Sequence, residues 1–168
     1  MSVFEHKKEA PATVRCKIIT VSDTRTIETD KSGSLINELL VEAGHHIIKH
    51  VIVKDEASEI RDEVISGSLD DEVEVILLNG GTGISPRDVT IETIVPLFEK
   101  EIVGFGEIFR YLSYTEDIGT AAMMSRAAAG TRNRTGIFAM PGSTGAVRLA
   151  MKKLILPELQ HVARELKK

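Results

Sequence analysis

Continuous apolar runs of strand length alternate along this chain with segments whose apolar residues recur at helical spacing, and this alternation constrains the fold more than any other feature. Residues 14–21 begin as an alternating pattern and become continuously apolar, as expected for a strand entering the middle of a sheet. Leu35, Leu39 and Ala43 then repeat at a helical spacing behind Ser34, which can cap a helix, and Gly44 stops it. Residues 47–53 read as a second strand. Asp55 opens a second helix with Ile60 and Val64 on its inner face, and residues 74–78 read as a third strand. Helical segments are expected over much of 90–128, followed by a short apolar strand at 136–140 and a last helical stretch broken internally at Pro157. Strands alternating with helices imply right-handed crossovers, and hence an α/β fold of three layers, α/β/α, with a mostly parallel central sheet.

The chain has 168 residues, enough for one domain with a substantial core and too few for two. Residues 1–13 mix charges with Ala10, Pro11 and Ala12 without a sustained period, so an N-terminal arm over 1–13 and a single domain over 14–168 are expected. A formal net charge of -4 with interspersed signs provides no large positive field, which argues against a nucleic-acid partner. The opening residues lack the apolar core of a signal peptide, and no apolar stretch is long enough to span a bilayer, so the reading is a cytoplasmic protein without a membrane partner. Cys16, the single cysteine, lies inside an apolar run and reads as a buried thiol.

In such a sheet ligands collect at the C-terminal ends of the strands, and three loops fall there: 22–33, 79–90 and 141–145. The second is the strongest local signal. Gly80, Gly81 and Gly83 permit positive φ and close approach of a ligand, so several N–H groups can converge on one anion beside Thr82. It matches neither standard phosphate loop: no lysine follows the glycines, and Pro86 stands where the third Rossmann glycine belongs. A tight turn without a ligand is the plainer alternative. Arg87 can neutralise a phosphate, whereas Asp88 beside it would repel one unless Mg²⁺ or a proton intervened; Asp88 can equally cap the helix that follows, a role for which Thr90 competes.

Pro141, Gly142 and Ser143 lead from a strand into a helix, which makes a second anion site or a simple Ser143 cap. Ser22, Asp23, Ser32 and Gly33 add polar groups to the same rim. Asp55, after the second strand, brings another carboxylate: with Asp88 it could hold a hydrated Mg²⁺, or it could cap a helix. His45, His46 and His50 lack the companions of a zinc site. Met123, Met124, Phe105, Phe109 and Tyr111 read as core or subunit contacts, and Arg132 and Arg134 as a solvated turn. Neither a nucleophile elbow nor a cysteine at a helix start is present, which leaves phosphate-directed transfer or plain ligand binding.

Together, Thr20-Val-Ser-Asp-Thr24, Asp30-Lys-Ser-Gly33, Asn79-Gly-Gly-Thr-Gly-Ile-Ser-Pro-Arg-Asp-Val-Thr90, Gly104-Phe-Gly-Glu107 and Met140-Pro-Gly-Ser143 resemble the MoaB/MogA family in order and spacing, over nearly the whole chain after the arm. Ser143-Thr144-Gly145 looks more like the MoaB branch. The resemblance implies a molybdopterin-binding fold, a homotrimer or homohexamer, and a place in molybdenum-cofactor assembly. It also implies adenylylation of the molybdopterin phosphate with ATP and Mg²⁺, and the two acidic residues important for that chemistry fall on Asp88 and Asp55. The alternatives are a non-catalytic pterin-binding or carrier protein of the same pathway, and a purely structural subunit.

Overall fold

In a computed structural model that describes residue 2 and residues 12–168, the first apolar run forms β1 (Arg15–Val21), followed by α1 (Lys31–Glu42), β2 (His46–Val53), α2 (Ala57–Leu69) and β3 (Val75–Asn79). A short α3 (Thr90–Ile94), β4 (Lys100–Glu101) and α4 (Val103–Glu116) come next. The chain ends with β5 (Ala128–Arg132), β6 (Thr135–Met140), α5 (Thr144–Ala150) and α6 (Leu156–Glu165). Most of the expected N-terminal arm lies outside the described residues.

The strands form one sheet in the order β2-β1-β3-β6-β5-β4, and β2, β1, β3 and β6 run parallel. The near-continuous apolar runs of β1, β3 and β6 have a direct cause: alternate residues serve opposite faces, and both faces are covered, whereas the edge strand β2 is partly exposed. Cys16, Ile18, Val75, Leu77, Phe138 and Met140 pack in one core with α1, α4, α5 and α6. Ile19, Val21, Ile76, Leu78, Ile137 and Ala139 pack in the other with α2 and α3. Burial pushes the Cys16 thiol up to about 12, so it stays protonated at neutral pH.

Four details differ from the sequence reading. The strands β4 and β5 add an antiparallel edge that sequence patterning does not reveal. The β5 run, Ala-Ala-Gly-Thr-Arg, is poor in strand-forming residues. Phe98 lies flat on Gly130, where any Cβ would collide with the ring, so packing rather than propensity makes this a strand. Helix α1 starts at Lys31 with Asp30 as its cap, accepting from the Gly33 N–H at 2.9 Å, so Ser34 is inside the first turn rather than before it. Pro157 does not break the last helix: the turn widens into a π-helical segment, Met151–Ile155, just ahead of it. That widening relieves the clash of the proline ring with the preceding turn. Fourth, Asp55 precedes α2 without capping it, since the cap position is Glu56, whose side chain makes no capping bond to the helix.

Asn133 and Arg134 join β5 to β6 with φ of 47° and 64°, the two-residue turn in which both centres are left-handed. Glycine is preferred at the second position. Arg134→Gly is therefore expected to stabilise the fold by about 0.5–1 kcal/mol, visible in thermal melting as a rise of roughly 1–4 °C. A lower melting temperature would show that the arginine side chain contributes more than the turn strain costs.

Candidate active site

The strands β1, β3 and β6 are adjacent and end together, so their three following loops meet around a cleft of about 470 Å³. Of the residues read from the sequence, Ser22, Asp55, Gly80, Gly81, Thr82, Gly83, Asp88, Pro141, Gly142 and Ser143 line it. The opposite wall, which sequence reading did not supply, comes from the end of α4 and the turn after it: Ser113, Asp117, Ile118, Ala121 and Met124, with Ser125 and Arg126.

The floor is the glycine loop. Gly80 and Gly81 have φ of +96° and +64°, which a side chain would resist. Thr90, fully buried, clasps this loop from behind: its Oγ1 donates to the Gly80 carbonyl and its N–H to the Gly81 carbonyl, both at 2.9 Å. Thr90 thus shapes the loop without lining the cleft. Arg126 takes the next two carbonyls, Nε to Thr82 at 2.9 Å and Nη2 to Gly83 at 2.7 Å, while Glu92 holds its guanidinium from the other side. Because a peptide N–H points opposite to its C=O, fixing these carbonyls turns the Gly83 and Ile84 N–H groups away from Arg126. Among the described residues, none of the N–H groups of Gly81, Thr82, Gly83 and Ile84 donates to another backbone group.

Two carboxylates share the cleft with this loop. Asp88 closes a turn on itself: its Oδ2 accepts from the Ser85 N–H at 3.0 Å and hydroxyl at 2.7 Å. The residue before α3 is Val89, with no side-chain cap bond, so the capping alternative for Asp88 does not apply. Asp55 and Asp23 embrace reciprocally, each backbone N–H donating to the other's carboxylate at 2.9 and 3.1 Å. Burial, then the charges of Asp23 and Asp88, holds the Asp55 carboxyl above the usual aspartate range. Negative charge is therefore concentrated here without full compensation.

Arg87, the cation expected to meet a phosphate, is engaged elsewhere. Its Nε and Nη2 bind Asp23 at 3.1 and 2.9 Å and its Nη1 binds Glu56 at 2.9 Å, outside the cleft wall. This pairing raises its pKa further and, through the hydrogen bonds, holds Asp23 below the usual carboxylate range. Ser32 and Gly33 lie beneath the floor, in a buried polar layer: Ser32 donates to the Asn79 side-chain oxygen at 2.6 Å, and Gly33 has no room for a Cβ beside Asp30, Thr20 and His50. His45 accepts from the Val14 N–H at 3.1 Å, a structural contact. Ser143 caps α5, its Oγ accepting from the Ala146 N–H at 3.2 Å. Arg25 and Arg126 are the cations that line the cleft, and no sequence pattern distinguishes them from the other arginines.

The fold and this cleft define an α/β domain whose candidate site lies at the C-terminal ends of its parallel strands, where a glycine loop with unpaired backbone N–H groups adjoins the carboxylates of Asp55 and Asp88. Comparison with known proteins gives the particular family. Residues 17–161 match the family model described as "Probable molybdopterin binding domain". Over 168 residues the chain is 64% identical to molybdenum cofactor biosynthesis protein B of Bacillus subtilis (strain 168), covering 100% of this chain and 99% of that protein. A crystal structure of molybdenum cofactor biosynthesis protein B superposes with a TM-score of 0.92 at 60% identity, covering 95% of this chain and 99% of the other. The tungsten cofactor synthesizing protein MoaB from Pyrococcus furiosus gives 0.83 at 36%, covering 95% and 100%. The chain belongs to the molybdenum cofactor biosynthesis protein B family, within the MoaB/MogA fold.

Proposed function

We propose that the cleft binds molybdopterin through its phosphate and transfers AMP to that phosphate from ATP in the presence of Mg²⁺, as a step of molybdenum-cofactor biosynthesis in the cytoplasm. The observation that carries this reading is that the unpaired N–H groups of the glycine loop share one cleft with the carboxylates of Asp55 and Asp88. Donors and carboxylates so arranged suit a phosphate held next to a hydrated divalent cation.

The donors in the cleft suit Mg²⁺ by their chemistry. Among the described residues no three His, Cys, Asp or Glu side chains are close enough to cage a metal. Mg²⁺ does not require a cage, since it keeps waters and is commonly held by one or two carboxylates plus substrate phosphates. Asp55, whose carboxyl is held above the usual range first by burial and then by Asp23 and Asp88, and Asp88, with Oδ1 open among the described residues, fit that role. When bound, Mg²⁺ supplies neutralisation of charge on the ATP phosphates. In the transfer a molybdopterin phosphate oxygen attacks the α-phosphorus of ATP, a new P–O bond forms, the bond to the bridging oxygen breaks, and pyrophosphate leaves with its electron pair. The glycine loop, held by Thr90 and Arg126, keeps the attacking phosphate in line, and no protein nucleophile is required.

Incubation with molybdopterin, ATP and Mg²⁺ is expected to yield adenylylated molybdopterin and pyrophosphate, read by mass spectrometry. Retention of molybdopterin with no adenylylated product would replace this reading with that of a carrier. We further propose that the protein assembles as a homotrimer or homohexamer. Tyr111, Tyr114 and Met123, the last 83% exposed, form an apolar groove along α4 and the turn after it. Light scattering at three or six times the chain mass is the expected result, and a monomer would overturn it. No helix among the described residues is long and apolar enough to cross a membrane.

A further inference from the structure

We propose that Arg25 is the side chain that reads the anionic group of the substrate in this cleft, and that Asp30 and Ser32 are its positioning residues. The assignment rests on the phosphate-binding reading above and names the residue that carries it. Arg25 lies in the loop after β1, but its guanidinium reaches across the floor: Nη2 donates to the Gly142 carbonyl at 2.9 Å in the loop after β6. Gly142 is wedged between Arg25 and the glycine loop. A Cβ there would lie 3.4 Å from the guanidinium and 3.1 Å from the Gly80 Cα. The cation thus stands against the floor on which the free N–H groups are displayed.

Its orientation is built from below. Nη1 donates to the Ser32 hydroxyl and sits 3.5 Å from Asp30 Oδ1. Asp30 is itself fixed by donors on every side: the Gly33 N–H at 2.9 Å, the Thr20 hydroxyl at 2.6 Å and His50 Nε2 at 3.1 Å, with its side chain fully buried. Ser32 is fixed in turn by Asn79. A carboxylate whose charge is already shared among these donors orients Arg25 without neutralising it. Arg87 is in the opposite condition, with two carboxylates on three of its nitrogens. Among the described residues Arg25 keeps at least its Nε–H and one further N–H without an acceptor, and a fork of that kind matches a phosphate.

The test compares binding of molybdopterin and of its dephosphorylated form by equilibrium dialysis in wild type, Arg25→Gln, Arg25→Lys, Ser32→Ala and Arg87→Gln, each checked by thermal melting. Arg25→Gln is expected to weaken molybdopterin binding about ten-fold or more and to leave the dephosphorylated form unaffected. Arg25→Lys restores part of the loss, since it keeps the charge without the fork. Ser32→Ala gives a smaller loss confined to the phosphorylated ligand, a selectivity that a merely structural residue would not show. Arg87→Gln stays within about two-fold, as expected for an exposed ion pair. Equal losses for both ligands in Arg25→Gln, or unchanged binding, would overturn the assignment, as would a phosphate-selective loss in Arg87→Gln. A wild type that retains neither ligand would overturn the molybdopterin reading itself, and the assignment with it.

Discussion

Asp88→Asn and Asp55→Asn are each expected to lower adenylyl transfer by about 10²–10³-fold, equivalent to about 3–4 kcal/mol of transition-state stabilisation. Asparagine keeps the shape and one acceptor oxygen, so the Ser85 turn of Asp88 and the Asp23 N–H contact of Asp55 can persist. What is lost is the negative charge facing the glycine loop. The two variants should part company in stability. The carboxyl of Asp55 is raised in the folded protein, first by burial and then by Asp23 and Asp88. A raised carboxyl favours the fold only while protonated: stability is fully present below the unfolded pKa and is lost as pH rises through the folded pKa. At neutral pH the ionised Asp55 therefore weighs against the fold, and Asp55→Asn is expected to melt at or above the wild-type temperature there. That advantage should vanish in acid, below the unfolded pKa. A variant that loses both turnover and melting temperature at neutral pH would mark Asp55 as a structural residue.

Gly80→Ala is expected to cost about 3 kcal/mol of stability and about 6–12 °C of melting temperature, with the ligand site lost as well. Two causes add. The backbone at Gly80 has φ of +96°, where a side chain is strained whatever the space available. A Cβ there would also run into the carbonyl oxygen of Val21, a backbone atom at the end of β1 that cannot swing aside. Either β1 must shift or Gly80 must give up its 3.1 Å hydrogen bond to the Met140 carbonyl, and both changes separate the strand ends that build the cleft. Circular dichroism melts of the variant measure this directly. A melting temperature within a degree or two of wild type would mean that the three strand ends are less tightly coupled than their contacts require.

The central parallel strands were legible because β1, β3 and β6 are covered on both faces and are mostly apolar, and Ile18 beside Ile19 or Leu77 beside Leu78 records that fact locally. The edge formed by β4 and β5 left no such record. Gly130 in β5 is a glycine because Phe98 presses on it, a contact made across 32 positions of sequence. The glycine loop and the two aspartates were also legible, since positive φ and uncompensated carboxylates demand particular residue types. Their capping alternatives could be set aside only by geometry: Asp88 bonds to Ser85, and Asp55 to Asp23.

The arginines mark the boundary most clearly. Arg25, Arg87 and Arg126 are chemically identical, and each has a carboxylate within reach. By itself the sequence determined the three-layer fold, the strand-end loops and the residues of the cleft floor, because backbone conformation and burial act through neighbours along the chain. Which cation reaches from the loop after β1 to the Gly142 carbonyl, which one is locked to Asp23 and Glu56, and which one holds the carbonyls of the glycine loop was decided only by the tertiary structure. A long flexible side chain takes its partner from whatever folding brings near it, and that is set by the packing of distant strands and helices.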